Sequence, residues 1–319
     1  MIDDYLFYLT FIPHIASATK YSGLQEDTND NEDTLFASVY YDCGHYKQSE
    51  QLYIKTLKRR KKVLGKKHPS SLASMSNLAS TYSEQGKWQE AEKLELQTLD
   101  LSREVLGEEH PDTLISMSNL ALSYWKQGKW REAEKLQLQV LDLKRKLLGE
   151  EHPSTLTSIN NLAATYSSQG KWQETEKLEL QNLALCRKVL GEEHPDTLVS
   201  MSNLAQTYSH QGKQKEAEKL GLQVLDLKRK LLGEEHPSTL TSMSNLALIY
   251  RDQERWEEAE KLMVQTLDMM AQMLGINHLD TLSIENILSE IYEHNGKLEA
   301  ATALQEHLEM TQGPMNMPE

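Results

Sequence analysis

Six histidines, His68, His110, His152, His194, His236 and His278, stand 42 residues apart, and four of them follow paired glutamates. Histidine beside carboxylate is a metal-ligand pairing, so metal binding is the first chemistry to weigh. It fails on geometry. Ligands must lie about 2 Å from one ion, whereas residues recurring once per helix pair are displaced by about 15–20 Å at the usual interhelical spacing. Five of the six precede proline (Leu279 takes that place at the sixth), and His-Pro reads as a turn that starts a helix. No metal and no cofactor are expected. Cys43 and Cys186 match no C-x-x-C pattern and read as small hydrophobes in helices, which fits a reducing, cytoplasmic compartment. Serine next to asparagine on a helix has no activating base, so no enzyme is expected.

Carboxamide hydrogen bonding is the second candidate chemistry. Asn77, Asn119, Asn161, Asn203 and Asn245 keep the same spacing, preceded by Ser76, Ser118, Asn160, Ser202 and Ser244. An amide offers donors and an acceptor, so such a row can pair with an extended peptide backbone whatever its sequence. The alternative is that each Asn bonds within or between repeats and only orders the stack. Selectivity then falls to positions where the repeats differ. One turn beyond each Asn lie Ser80, Leu122, Ala164, Gln206 and Leu248; further along lie Ser83, Trp125, Ser167, Ser209 and Arg251, then Glu84, Lys126, Ser168, His210 and Asp252. Trp125 is the one aromatic in its series and reads either as an anchor or as a ring packed on the neighbouring repeat. Lys126 and Arg251 are the basic residues of this face.

The elements that position these side chains follow from the period. Tyr82, Tyr124, Tyr166, Tyr208, Tyr250 and Tyr292 share the 42-residue spacing, as do Gly65, Gly107, Gly149, Gly191, Gly233 and Gly275. In Pro111 to Gly149, Pro111 suits the first helical position. Leu114, Met117, Leu120, Ala121 and Tyr124 then form an apolar helical stripe. Gly128 closes that helix through a left-handed cap. Trp130, Ala133, Leu136, Val140, Leu143 and Leu147 form a second stripe, closed by Gly149. No segment alternates with period two, so no sheet is expected. One hairpin cannot bury both stripes alone, and stacking on its neighbours can. Ala91, Ala133, Ala217 and Ala259 allow close helix approach, while Trp88, Trp130, Trp172 and Trp256 are expected to fill buried volume at the start of the second helix. The expected fold is all-α: a right-handed solenoid of antiparallel helix hairpins, about six to seven repeats. Their expected bounds are 27–67, 69–109, 111–151, 153–193, 195–235, 237–277 and 279–310. An apolar segment, 1–26, precedes the array and a flexible tail, 311–319, follows.

Charge narrows the partners. Of 319 residues, 34 are Lys or Arg and 48 are Asp or Glu, a net charge of −14. Nucleic acid and anionic lipid both demand clustered positive charge, so neither is an expected partner. The apolar stretch from Tyr5 to Ile15 is too short to span a bilayer and lacks a basic leader. Charge also separates the two helices of a repeat: Trp130 to Leu147 carries eight charged residues, Pro111 to Lys126 only Asp112 and Lys126. The charged helix suits an outer, solvated wall and the neutral one an inner wall.

Asn119-Leu120-Ala121, Tyr124, Gly128-Lys129-Trp130, Glu132-Ala133-Glu134 and Leu148-Gly149-Glu150-Glu151-His152-Pro153 together resemble the tetratricopeptide repeat. The 42-residue length is similar to the kinesin light chain subtype and to arrays in fungal NB-ARC or NACHT proteins. The resemblance covers roughly residues 27 to 310. It implies a non-enzymatic scaffold that holds an extended partner segment in a concave groove lined by the Asn row. Two alternatives are a self-associating module and the sensor array of a larger NTPase. Kinesin light chains pair with the motor heavy chain through a heptad coiled coil. These residues contain none, so the heavy chain is not an expected partner. NB-ARC and NACHT proteins carry G-x-x-x-x-G-K-[ST]; the Gly-Lys pairs here continue into Trp, Gln or Leu, so no NTPase is expected. The last repeat has Ile287 where the others have Asn, the kind of deviation that terminal repeats show.

Overall fold

The computed structural model describes residues 30–312, and all its regular structure there is α-helical. The apolar 1–26 segment lies outside the described residues, as does the tail from 313 onward. Two compact units divide the chain after Gln169. The first holds α1 (Asp30–Asp42), α2 (Tyr46–Val63), α3 (Pro69–Glu84), α4 (Trp88–Leu106), α5 (Pro111–Lys126), α6 (Trp130–Leu148) and α7 (Pro153–Ser168). The second holds α8 (Trp172–Leu190), α9 (Pro195–His210), α10 (Gln214–Leu232), α11 (Pro237–Asp252), α12 (Trp256–Leu274), α13 (Leu279–His294) and α14 (Leu298–Gln312). Within each unit successive helices pack on one another, as an all-α repeat solenoid requires. Helix α14 runs two residues past the boundary expected at 310.

Each odd-numbered helix from α3 to α13 starts at one of the six histidines. His110 is the N-cap of α5, and its Nδ1 accepts the N–H of Asp112 at 3.1 Å; His152 does the same for Ser154 and His236 for Ser238. An orphan helical donor is thereby satisfied, and proline at the next position removes another. The preceding loop is closed by a hydroxyl. Thr113 Oγ1 donates to the Gly107 carbonyl at 2.7 Å, and Thr155 and Thr239 repeat the bond to Gly149 and Gly233. Gly128, just past the end of α5, has φ +73°, the left-handed value that was expected. Gly149 differs: φ 89°, ψ 168° is an extended, positive-φ conformation open essentially to glycine alone.

The core lies between the helices of each hairpin and between adjacent hairpins. In the first unit Met75, Met117 and Ile159 are fully buried, as are Met201 and Met243 in the second. Burying each such side chain stabilises the fold by about 1.5–3 kcal/mol. Ala91, Ala133, Ala217 and Ala259 are fully buried where close approach was expected. The tryptophans are only partly covered, although Trp256 packs against the core of the second unit. Trp130 is 40% exposed, while Trp172 and Trp256 lie against the next odd helix, stacked on His210 and His294 at 4.5 and 4.0 Å between ring centroids. They cap the rim of the interface because the first turn of an even helix faces a helix end. Cys186 is buried in α8, but Cys43 sits in the turn after α1.

Polar contacts tie neighbouring hairpins in register. Lys87 pairs with Glu50 at 2.8 Å and Lys129 with Glu92 at 2.6 Å; in the second unit Lys213 pairs with Glu176, Arg255 with Glu218 and Lys297 with Glu260. Each cation stands 37 residues after its carboxylate. Such half-exposed pairs add little stability, so their value lies in fixing position.

Candidate functional site

The Asn row lies on the odd helices, and its side chains are only partly covered: Asn77, Asn119, Asn203 and Asn245 are half-buried and Asn161 is exposed. None of these five carboxamides has a hydrogen-bond partner among the described residues. An exposed, unengaged amide is free to exchange water for a peptide group, which a structural amide is not. The residues just before them behave differently. Ser118 and Ser202 donate to the carbonyls of Leu114 and Leu198, one turn back on their own helices, at 2.8 and 2.9 Å. Asn160 is half-buried and has a contact of its own.

Two small crevices open beside this row. In the first unit Ser118 of α5, Gln137 and Val140 of α6, and Ser158 and Asn161 of α7 enclose about 10 Å³. In the second unit the equivalent positions of α9, α10 and α11 enclose a similar volume, with Gly221 in place of Gln137. The even helices thus reach the Asn face from beneath, at a position that sequence reasoning passed over. The signal was present. Gln137 falls four residues after Ala133 and three before Val140, inside the apolar stripe, where a polar residue has to be explained.

The same register carries Glu95 and Glu179. Both are buried, 4% and 5% exposed, and burial pushes each carboxyl up to about 7. Hydrogen bonds from the next odd helix oppose that rise: Ser123 Oγ donates to Glu95 Oε1 at 2.9 Å, and Thr207 bonds Glu179. The second oxygen of each carboxyl is buried without a partner.

The aromatic and basic candidates are engaged within the array. Trp125 Nε1 donates to Ser168 Oγ at 2.9 Å, joining α5 to α7. Lys126 pairs with Glu84 of α3 at 2.6 Å. Arg251 reaches Asp252 at 3.1 Å and Glu290 of α13 at 3.6 Å, and Asp252 accepts from Ser209 of α9 at 2.9 Å. All three link successive odd helices, and the two cations of this face are neutralised. The unengaged groups beside the Asn row are instead apolar: Ile115 and Leu122 of α5 are 54% and 50% exposed. Among the described residues no group of His, Cys, Asp and Glu could hold a metal, and no helix is long and apolar enough to cross a membrane.

Family models of the tetratricopeptide repeat match residues 32–104, 96–146, 112–181 and 156–230, and again 239–280. No curated protein matches. Among solved structures, the nearly identical TPR-like repeats assigned to a Podosopora anserina kinesin light chain share 38% identity, cover 65% of this chain and 98% of their own, and superpose with a TM-score of 0.58. A Pyrococcus horikoshii signal transduction ATPase with a tetratricopeptide repeat sensor is 15% identical, covering 89% of this chain and 42% of its own, with a TM-score of 0.63. NprR in complex with its cognate peptide NprX is 19% identical over 96% of this chain and 87% of its own, with a TM-score of 0.57.

Proposed function

We propose, from the premise that this chain belongs to the tetratricopeptide repeat family, that it is a non-enzymatic cytoplasmic scaffold whose Asn-bearing helix faces hold an extended segment of a protein partner. One observation carries the reading: five carboxamides recur at one register, partly open to solvent, with no partner of their own. An extended backbone offers alternating N–H and C=O groups, and an amide can satisfy either. The exposed Ile115 and Leu122 beside Asn119 supply apolar contact that such a segment would cover. NprR, a protein of the same fold, was solved with a bound peptide.

Replacing Asn119, Asn161 and Asn203 together by Ala tests the reading. Binding of a peptide selected on the wild-type chain should weaken by about tenfold or more, since each lost hydrogen bond contributes about 0.5–1.5 kcal/mol. Helicity by circular dichroism should be unchanged, because these amides make no hydrogen bond within the fold. Undiminished binding by the helical triple variant would refute the assignment of the face.

A further inference from the structure

The residue of the even helix beneath the Asn row differs from repeat to repeat: Glu95, Gln137, Glu179, Gly221, Met263. At Gln137 the crevice floor is polar. The side chain is 8% exposed, its Oε1 has no hydrogen-bond partner, and Asn161 on the wall has a free amide. Ser118 and Ser158 spend their hydroxyl protons on their own helices, donating to Leu114 and Ser154. Burying an unmatched amide oxygen costs about 1–3 kcal/mol, so this floor favours a group that donates to it. The volume, about 10 Å³, holds one water-sized group and no more.

At Gly221 the equivalent crevice has no polar floor, and buried Ile249 forms part of its wall. A Cβ at Gly221 would meet Leu246 Cδ1 at 3.1 Å and Ile249 Cδ1 at 3.3 Å, so the absent side chain is what keeps this space open. The two crevices match in size and register and differ in chemistry.

We infer that the even-helix floor sets the side-chain preference of the groove: the Gln137 crevice takes a hydroxyl, from serine or threonine of the bound segment, and the Gly221 crevice takes a methyl-sized apolar group. A hydroxyl donates to Gln137 Oε1 and accepts from the Asn161 amide, satisfying both at once. A methyl in the Gln137 crevice leaves both amides unmatched, and a hydroxyl in the Gly221 crevice meets the Asn245 amide on the wall but finds no acceptor on the floor. This inference rests on the proposed groove and names what that groove selects.

The test pans a phage-displayed library of random peptides about twelve residues long, which reach about 40 Å when extended, against the full chain and against Gln137→Met. Methionine keeps the length of glutamine and removes its amide. The wild-type chain should enrich peptides with a serine or threonine at one fixed position. The Gln137→Met chain should lose that enrichment in favour of alanine there, and its affinity for the original peptides should fall about tenfold. Gly221→Ala, a smaller change, should weaken a preference for a small apolar residue among the peptides held by the second unit and leave the hydroxyl preference intact. Peptides that bind both chains with one unchanged profile would overturn this inference and leave the groove standing, water being the occupant of the crevice. A wild-type chain that enriches nothing would overturn both. If Gln137→Met lost helicity, Gln137→Leu replaces it as the test: an apolar floor without an amide should abolish the enrichment of serine and threonine, and an unchanged hydroxyl preference would overturn the inference.

Discussion

Glu95 and Glu179 are the residues with most to say about pH. Both are buried, and burial holds each carboxyl up to about 7, well above the ordinary glutamate value near 4.5. Glu92 and Lys126 act on Glu95 from α4 and α5 with opposite signs, and Glu176 raises Glu179 further. Below about pH 4 folded and unfolded chains both carry these protons and the groups cost nothing. As pH rises past 4.5 the unfolded chain releases them while the folded chain keeps them, so stability falls up to about pH 7 and then levels off, by about 3 kcal/mol per group. Glu95→Gln with Glu179→Gln should therefore raise the urea midpoint at pH 8 and change little at pH 5; an equal gain at both pH values would contradict the burial argument. The register was legible, as at Gln137, but the burial of a glutamate there was not, because glutamate in a charge-rich helix looks solvated until its neighbours are known. Contact of Trp125 with the neighbouring repeat was one of the two readings its sequence left open; the ties of Lys126 and Arg251 were not, since their partners lie 42 and 39 positions away. The histidines were legible: proline fixes the first helical turn, and that alone identifies the residue before it as a cap.

At the scale of the helix, termini carry much of the specification. The histidine cap, the threonine bond to the loop glycine and the positive-φ glycines recur because each satisfies a backbone group that a helix end leaves open. His110→Ala should cost about 1 kcal/mol, and His110→Asn, whose side-chain oxygen can accept the same N–H, should restore most of it; thermal melts of the two variants decide. Equal losses in both would mean that the ring's packing matters more than its acceptor. Gly149→Ala should cost more than Gly128→Ala, since ψ near 168° at positive φ is closed to alanine, whereas the left-handed region is only strained. Apolar stripes announced which faces are buried. They did not announce that the tryptophans stop at the rim, because periodicity gives the face a residue is on and not how far the facing helix extends.

Over the whole molecule, near-identity of repeats poses a problem of register. Val140 to Ser158 and Val224 to Ser242 have the same sequence, so the chain needs features that tell repeats apart. The even-helix floors differ from repeat to repeat. Ser123 lies 28 residues beyond Glu95, Thr207 beyond Glu179 and Ile249 beyond Gly221, polar facing polar and apolar facing the open glycine. Excising residues 141–224 leaves the local sequence at the junction unchanged but sets Gln137 opposite Ile249. The shortened chain should keep its helicity per residue and lose about 1–3 kcal/mol, which Gln137→Gly should restore. Indifference to that substitution would show that floors do not set register. The most direct test of the groove itself uses a photo-reactive phenylalanine analogue at Leu122, beside the Asn row, or at Leu138 on α6, both exposed. With a library-selected peptide bound, crosslinking is predicted at 122 and not at 138; capture at 138 alone would place the partner on the charged helices and contradict the account.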